Sequence, residues 1–243
     1  MKYLVSILTV VLLLSACGTR KTETVAESAP LNQLTEQQKA EGWKLLFDGQ
    51  STNGWRMFKN AENDSWEVID GTLHCKPFND AAENKRADLM TSDQYENYEL
   101  AFDWKISAQG NSGVIFRVTE EFDVPYASGP EYQVIDDVGY PGELKEENKS
   151  GGTFDMYIPQ NKTMNPVGEW NSSKLVVNAN HVEHWLNGKK VVDYDLGSDD
   201  WKKRVAASKW KDFPGYGLAK SGHIDLQDHG NEVWFRNMMI KTL

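Results

Sequence analysis

The chain has little cysteine: its 243 residues include only Cys17 and Cys75. Cys17 follows Leu14-Ser15-Ala16, the small-residue pattern of a lipobox, so we expect cleavage before this residue and acylation of its thiol. Cys75 would then be the only free thiol, and no intramolecular disulfide could form. We therefore expect a packed core, rather than covalent cross-links, to stabilise the fold.

Well-known catalytic signatures are missing as well. The sequence contains no Gly-x-Ser-x-Gly elbow, His-Glu-x-x-His pair, Walker loop or dinucleotide fingerprint. Its five histidines show no zinc-ligand spacing. These absences argue against elbow-type serine hydrolases, zinc peptidases and nucleotide-binding enzymes.

Basic residues are scarce relative to acidic ones. There are 26 Lys and Arg against 36 Asp and Glu, which gives a formal net charge of −10. An acidic chain argues against nucleic acid, and against an anionic membrane surface, as the binding partner. Any membrane contact would then come through the lipid anchor.

Long hydrophobic runs are absent except at the N-terminus. Lys2 precedes the apolar run Leu4 to Leu14, which is too short to span a bilayer as a stable helix and is typical of a signal peptide. We therefore expect a lipoprotein signal peptide at 1–16, a polar lipidated tether at 17–33 and a single domain at 34–243. The expected location is the periplasm, after export across the inner membrane, with the chain lipid-anchored to a membrane.

Short strands with polar turns dominate the rest of the sequence. Alternation of apolar residues predicts a strand from Tyr98 to Ile106, and Asn187-Gly188 predicts a hairpin turn. Two short helices are expected, one after a capping box at Thr35 and one after an N-cap at Ser198. Further strands are expected at 66–70, 72–76, 113–118, 131–136, 154–158, 174–177, 182–186, 190–194, 223–227 and 233–240. This pattern favours an all-β sandwich.

Three of these strands place polar side chains on a shared face. Alternation puts His223, Asp225 and Gln227 opposite the apolar residues of their strand, with His229 on the same side if the strand continues. By the same rule Glu131 and Gln133 share a face of their strand. Gly113, Ile115 and Arg117 share a face of another strand, just after Asn111 in the sequence. Glu131 and Arg117 could also form a purely structural ion pair.

The carboxylate pair of ordinary retaining glycosidases is not found. Those enzymes hold two carboxyl groups about 5 Å apart. At the nearest stretch here, Glu131-Tyr132-Gln133, an amide stands where the second carboxylate would be needed. A glycosyl-enzyme mechanism is therefore disfavoured.

Several motifs resemble one known family. They are Leu46-Phe47-Asp48-Gly49 with Asn53-Gly54-Trp55, Gly110-Asn111-Ser112-Gly113 with Phe116-Arg117, Glu131-Tyr132-Gln133, Gly168-Glu169-Trp170-Asn171, His184-Trp185-Leu186-Asn187-Gly188, and Leu226-Gln227-Asp228-His229-Gly230 with Phe235-Arg236-Asn237. In this order they resemble the 3-keto-disaccharide hydrolase domain family. The resemblance implies a concanavalin A-like jelly-roll β-sandwich and action on glycosides whose C3 hydroxyl is oxidised to a ketone.

The implied chemistry needs no nucleophile on the enzyme. A C3 ketone acidifies the hydrogen at C2, so a base removes it and the C1 substituent leaves by elimination; water addition then completes net hydrolysis. We expect Glu131 and His229 to be the acid/base pair, in an order left open. Arg117, Gln133 and Gln227 are expected to orient the sugar or stabilise the oxyanion. Asn111, His223 and Asp225 are further candidates for substrate binding.

The sequence is also compatible with other interpretations. The nine Trp suit sugar stacking as well as core packing, and the same sandwich serves non-catalytic sugar-binding and adhesion domains. No cofactor is certain. A divalent cation could polarise the keto-enolate, and Asp136-Asp137 could form a calcium loop, but no metal ligand is assigned. The expected partners are a small oligosaccharide or glycoside substrate and a membrane, without nucleic acid.

Overall fold

Thirteen strands and two α-helices make up the part of the chain that the computed structural model describes, residues 30–79 and 85–243. The expected signal peptide, Cys17 and the tether up to residue 29 lie outside the described residues. The strands are β1 (Lys44–Leu45), β2 (Trp55–Met57), β3 (Trp66–Ile69), β4 (Thr72–Cys75), β5 (Leu89–Thr91), β6 (Tyr98–Ile106), β7 (Asn111–Val118), β8 (Glu131–Ile135), β9 (Asn171–Asn178), β10 (His181–Leu186), β11 (Lys189–Asp195), β12 (His223–Leu226) and β13 (Val233–Thr242). None of the described helices is long and apolar enough to cross a membrane.

The strands pair into two antiparallel sheets. The larger sheet has the order β11-β10-β9-β6-β13-β4-β3, with β1 also paired to β13, and the smaller has the order β2-β5-β12-β7-β8. The predicted hairpins are present, with β3 paired to β4 and β10 to β11. The prediction of an all-β sandwich is therefore confirmed.

Alternation along β6 builds the core between the sheets. Every second residue from Tyr98 to Ile106 is at most 2% exposed, and the residues between them are partly exposed. The Phe102 ring meets the Tyr132 ring of β8 edge-on, with centroids 5.5 Å apart, so the two sheets are in direct contact. Burying this many aromatic residues stabilises the fold. Cys75 is a free cysteine, so no disulfide contributes within the described residues.

The two predicted helices are present with their caps. Helix α1 (Glu36–Ala40) begins at a complete capping box on Thr35, and α2 (Asp199–Ala207) begins at Ser198, whose side chain accepts a hydrogen bond from the Trp201 amide.

A row of parallel rings fixes α2 to the sandwich, and we call it the aromatic stack. It consists of Tyr157, Tyr194, Trp201, Tyr216 and Trp210, with successive centroids 4.4, 5.5, 5.4 and 4.2 Å apart. All five side chains belong to the main core. The segment after α2 is therefore held firmly against the sandwich, which matters for Lys209 below.

Parts of the strand prediction are wrong. Residues 154–158 form no strand; Thr153 and Tyr157 make only an isolated bridge, because Asp155 adopts a left-handed backbone conformation that breaks the extension. Strands β1, β2 and β5 were not predicted. They have only two or three residues each, too few to show alternation.

Strand β7 contains a bulge that changes its alternation. His223 pairs with Val118, but Asp225 pairs with Ile115, so β7 has one residue more than β12 over this stretch. Arg117 takes up the extra residue with a φ of 57°. Ile115 and Val118 consequently face the same side of the sheet, and Arg117 turns to the other side.

Candidate functional site

The outer surface of the smaller sheet carries most of the candidate residues. We call it the site face and define it by Met90, Gly113, Ile115, Glu131 and Asp225. Ile115 pairs with Glu131 on one side and with Asp225 on the other, so these residues point the same way. Their strand neighbours Val114, Tyr132 and Leu226 point inward and belong to the core.

Gly113 forms the floor beneath the Glu131 carboxyl group. A Cβ atom on Gly113 would lie 2.2 Å from Oε1 of Glu131 and 2.8 Å from its Cδ. No side chain fits there while the carboxyl group keeps its place. The glycine thus lets Glu131 lean across β7 towards the centre of the site face.

Burial sets the protonation of Glu131. The residue is 4% exposed and forms no ion pair with any described residue. Loss of hydration raises its pKa to about 8; the positive charge of Lys209 acts in the opposite direction, and the negative charge of Asp88 adds to the rise. Glu131 can therefore hold or release a proton near neutral pH, as a group that transfers protons requires.

Amide side chains lie beside Glu131. Gln133 is fully buried, and its Nε2 donates to Oδ1 of Asn111 over 2.8 Å, while its Oε1 has no partner among the described residues. Gln227 is half-buried just beyond β12, and its backbone N–H donates to the Gly113 carbonyl over 3.0 Å. The structure thus brings Asn111, Gln133 and Gln227 to the site face, where amides can bind sugar hydroxyls.

Two further carboxyl groups, those of Asp88 and Asp225, lie on the other side of Gly113 from Glu131. Asp225 is fully buried. Asp88 directly precedes β5, is half-buried, and accepts a hydrogen bond from the Asp228 amide over 2.8 Å. Burial and the nearby charge of Asp88 raise the pKa of Asp225 far above its usual range, and neither Asp225 oxygen has a hydrogen-bond partner among the described residues. Burial raises the pKa of Asp88 to about 7, although the hydrogen bond from the Asp228 backbone amide opposes that rise.

Lys209 supplies a positive charge at the edge of the site face. Its ammonium lies 4.4 Å from the centroids of the Phe154 and Trp210 rings. Burial lowers the pKa of this ammonium, while the charges of Glu131 and Asp155 raise it. Lys209 and Phe154 also line a pocket of about 780 Å³, and the Phe154 amide donates to the Glu131 carbonyl over 3.2 Å. The pocket thus opens directly beside the strand that carries Glu131.

Arg117 is not on the site face, so its predicted alignment with Gly113 and Ile115 is wrong. The bulge in β7 turns its guanidinium towards the larger sheet, where Nη2 donates to the Ala179 carbonyl. Burial lowers its pKa, and Tyr98 and Tyr194 lie within electrostatic range. Arg117 and Glu131, both described residues, form no ion pair with each other.

The two histidines of the prediction have different surroundings. His223 lies on β12 and is 3% exposed; its Nδ1 contacts the Thr91 carbonyl at 2.7 Å, and its Nε2 lies 3.2 Å from Nε2 of Gln94. His229 is exposed in the loop after β12 and forms no hydrogen bond with any described residue. The structure therefore places His229 at the rim, apart from the buried Glu131.

The donor groups on the site face do not gather as metal ligands. Within the described ranges, one group of side chains is close enough together to hold a metal ion. It consists of His181, Glu183 and Asp193 on β10 and β11, whose ligand atoms lie within 4.8 Å of one another. Lys190 already pairs with both carboxylates of that grouping. The possible calcium loop is also occupied by protein donors, since Asp136 accepts three backbone N–H groups and Asp137 pairs with Lys162. We derive no step through a metal.

Sequence reasoning missed two groups of this site. Asp88 precedes a strand of only three residues, although Asp88 and Met90 do follow the period of two that would place them on one face. Lys209 lies in a short 3₁₀ helix, whose position depends on the aromatic stack and on a hydrogen bond from the Lys209 amide to Asp155. No local signal in the sequence marks Lys209.

Comparison with known proteins identifies the family. Residues 42–241 match the model of the 3-keto-α-glucoside-1,2-lyase-like domain. The chain belongs to this family. The relatives include a protein of Bacteroides thetaiotaomicron named 3-keto-disaccharide hydrolase, which is 33% identical over 89% of this chain and 84% of its own length. The family expected from the sequence motifs is therefore confirmed.

Solved structures agree with the fold. A proposed glycosyl hydrolase from Parabacteroides distasonis is 42% identical, with a TM-score of 0.81 over 88% of this chain and all of its own. A second one from the same organism is 28% identical, with a TM-score of 0.62 over 83% of this chain and 99% of its own. A galectin-like protein of Bacillus subtilis, 15% identical, has a TM-score of 0.51 over 79% of this chain and 92% of its own, and supports the jelly-roll fold alone. The predicted fold class is confirmed.

Proposed function

We propose that this chain cleaves 3-ketoglycosides by removing the proton at C2 and eliminating the C1 substituent, followed by addition of water. The family and its named relatives support an enzyme that cleaves carbohydrates. The observation that carries the proposal is the Glu131 carboxyl group, which is buried above Gly113 and titrates near neutral pH. The C2–H group beside the C3 ketone is acidic enough for such a base to remove its proton.

The surroundings of Glu131 suit the charge that develops in this reaction. Removing the C2 proton moves negative charge onto the C3 oxygen, and a preorganised cation or amide donor stabilises that charge. Lys209 acts on Glu131 electrostatically, and Gln227, bonded to Gly113 through its backbone, offers its half-buried side-chain amide as a second donor. Gln133 is fully buried, and its Nε2 holds Oδ1 of Asn111 in place over 2.8 Å.

His229 keeps its place in the proposal as the partner of Glu131, acting from the rim. An exposed imidazole can exchange protons with solvent and with a substrate that fills the site. His229→Ala tests this role directly. A His229→Ala enzyme with unchanged turnover would remove His229 from the acid/base pair.

Product analysis tests the proposed function. The purified domain is incubated with 3-keto-trehalose or 3-keto-lactose in deuterated buffer and followed by NMR. We expect free 3-ketoglucose with deuterium at C2, and we expect Glu131→Gln to abolish both the cleavage and the exchange. Unchanged substrate that raises the melting temperature would instead identify a sugar-binding protein and would refute the proposal.

We also propose that the mature chain is a periplasmic lipoprotein anchored through Cys17. The support is the sequence Leu14-Ser15-Ala16-Cys17 after a short apolar run. Metabolic labelling with a palmitate analogue and membrane fractionation test it. Cys17→Ser should lose the label and leave the membrane fraction; a variant that still sediments with membranes contradicts the proposal.

A further inference from the structure

The outer surface of the larger sheet, on the side of the sandwich opposite the site face, carries tryptophans that the core does not use. Five of the nine Trp belong to the main core. The other four are partly exposed, and strand register and ring contacts place them on this outer surface: Trp43, Trp170, Trp185 and Trp234. We call this surface the tryptophan face and define it by these four residues. Packing of the core does not account for their position.

Lysine and arginine side chains lie over these rings. Each ring has a cation 3.8 to 5.8 Å from its centroid: Arg236 over Trp170, Lys105 over Trp234, Lys174 over Trp185 and Lys241 over Trp43. Indole rings beside long basic side chains are typical of bilayer interfaces. The apolar parts of both enter the headgroup region there, while the indole N–H and the charges stay hydrated.

Exposed aliphatic residues lie on the same side of the larger sheet. Leu45 pairs with Met239, which alternates with core residues along β13 and points outward. Ile69 follows the inward-pointing Val68 at the end of β3, and Leu31 lies beside the turn after β3. Leu45, Ile69 and Leu31 are each at least 36% exposed. Single exposed apolar residues are ordinary, but such a group beside four tryptophans indicates a surface that binds something.

The chain enters the fold on this same surface. Pro30, the first described residue, lines a shallow pocket together with Asp103 and Ser172, which point outward from β6 and β9. Asn32 is fixed there by two hydrogen bonds of 2.8 Å with Asn237. The N-terminal end of the described domain therefore lies against the larger sheet, on the side that carries the tryptophan face.

We propose that the tryptophan face docks on the phospholipid surface of the membrane that anchors the chain, so that the site face points away from that membrane. The inference rests on the proposed lipid anchor at Cys17 and goes beyond the proposed catalysis. Cys17 is thirteen residues before Pro30, and a chain of that length reaches at most about 47 Å even when fully extended. At the high effective concentration that a short tether gives, a weak contact is enough for docking.

The charges of the tryptophan face indicate an apolar contact rather than an electrostatic one. Glu99 lies 3.3 Å from Lys241 and 3.7 Å from Lys174, and Asp103 lies 3.6 Å from Arg236. These cations are therefore paired with carboxylates and leave no strong attraction for anionic lipid, in agreement with the net negative charge of the chain. We expect docking on zwitterionic headgroups, and we expect added salt not to reverse it.

Fluorescence quenching tests the docking. The acylated chain is reconstituted in phosphatidylcholine vesicles that contain a headgroup-attached spin label, and a fluorophore is attached to one introduced cysteine; Cys75 is buried. Ile69→Cys and Asn178→Cys place the fluorophore on β3 and β9, on opposite sides of β13. Leu218→Cys, 72% exposed shortly before β12 of the smaller sheet, is the control. We expect loss of most of the fluorescence at the first two positions and little loss at the third, at low and at high salt.

Substitutions on the tryptophan face test which residues make the contact. In the protein labelled at Asn178→Cys, Leu45→Asp together with Trp170→Ser should remove the quenching, because the apolar contact is lost. The protein should still sediment with the vesicles, since its anchor is unchanged. Leu218→Asp, which also places a charge at an exposed leucine, is the matched control and should leave the quenching as in wild type.

The outcomes separate this inference from the lipid anchor and from catalysis. A chain without an acyl group at Cys17 refutes the anchor and the inference with it. An acylated chain that sediments with vesicles but is quenched equally at all three positions refutes the docking alone. Quenching that a free oligosaccharide abolishes would identify a glycan-binding surface instead and would also overturn the inference. No readout depends on turnover, so failure of the catalytic proposal leaves this test unaffected.

Discussion

Adding one methyl group at Gly113 should disable the site without unfolding the protein. The Cβ of Gly113→Ala would lie 2.2 Å from Oε1 of Glu131, whereas ordinary contacts begin near 3.4 Å. The carboxyl group must therefore move by roughly 1 Å, and a misplacement of that size can cost about 10²-fold in rate. This loss corresponds to about 2.7 kcal/mol of transition-state stabilisation. Gly113 has no left-handed backbone conformation to strain, so overpacking, of about 1–3 kcal/mol, is the main cost to stability.

The assay is kcat/KM on 3-keto-trehalose, together with thermal unfolding. Gly139→Ala is the matched control, because its Cβ would meet the Asp136 carboxylate at 2.3 Å, away from Glu131. The control should lose stability but keep turnover. In a Glu131→Ala background, Gly113→Ala should cost less stability, since the clashing group is gone. Wild-type kcat/KM in Gly113→Ala would refute the placement of Glu131 over this glycine.

Three further predictions follow from the same geometry. Because burial raises the pKa of Glu131 to about 8, the folded state holds this proton between about pH 4.5 and 8 while the unfolded state releases it, so stability falls as pH rises. Chemical denaturation at several pH values in this range measures the free energy of unfolding. Its fall with pH should be less steep for Glu131→Gln than for wild type, by up to about 1.4 kcal/mol per pH unit, and equal slopes in the two proteins would contradict the raised pKa. Lys209→Met should raise the pKa of Glu131 and shift the acid limb of the kcat/KM profile to higher pH, whereas Lys211→Met, on the same short helix, should not. Arg117→Met should keep the wild-type KM for 3-keto-trehalose, since Arg117 faces away from the site; a large increase in KM would place it back among the substrate contacts.

Local patterns were enough to predict much of this fold. The alternation in β6, the turn at Asn187-Gly188 and the caps at Thr35 and Ser198 all depend on residues close in sequence, and the structure contains each of them. The same rule placed Glu131 with Gln133 correctly. A period of two depends only on the pleat of the strand and needs no knowledge of the partner strand.

The parts of the site that depend on tertiary structure could not be predicted in this way. The extra residue in β7 turns Arg117 inward, and only the pairing with β12 shows it. Asp88 approaches Asp225 because the short strand β5 pairs with a strand more than a hundred residues later. Lys209 approaches Glu131 because distant rings stack. Such contacts follow from the whole fold rather than from local spacing.

The aromatic stack also has a spectroscopic consequence. Five rings lie nearly parallel and within a few ångströms of each other, so their electronic transitions should couple and give a strong near-ultraviolet circular dichroism signal. Trp210, at one end, directly follows Lys209 in the chain. Loss of this signal at a temperature where the far-ultraviolet signal of the strands persists would report release of the segment that holds Lys209, independently of any substrate.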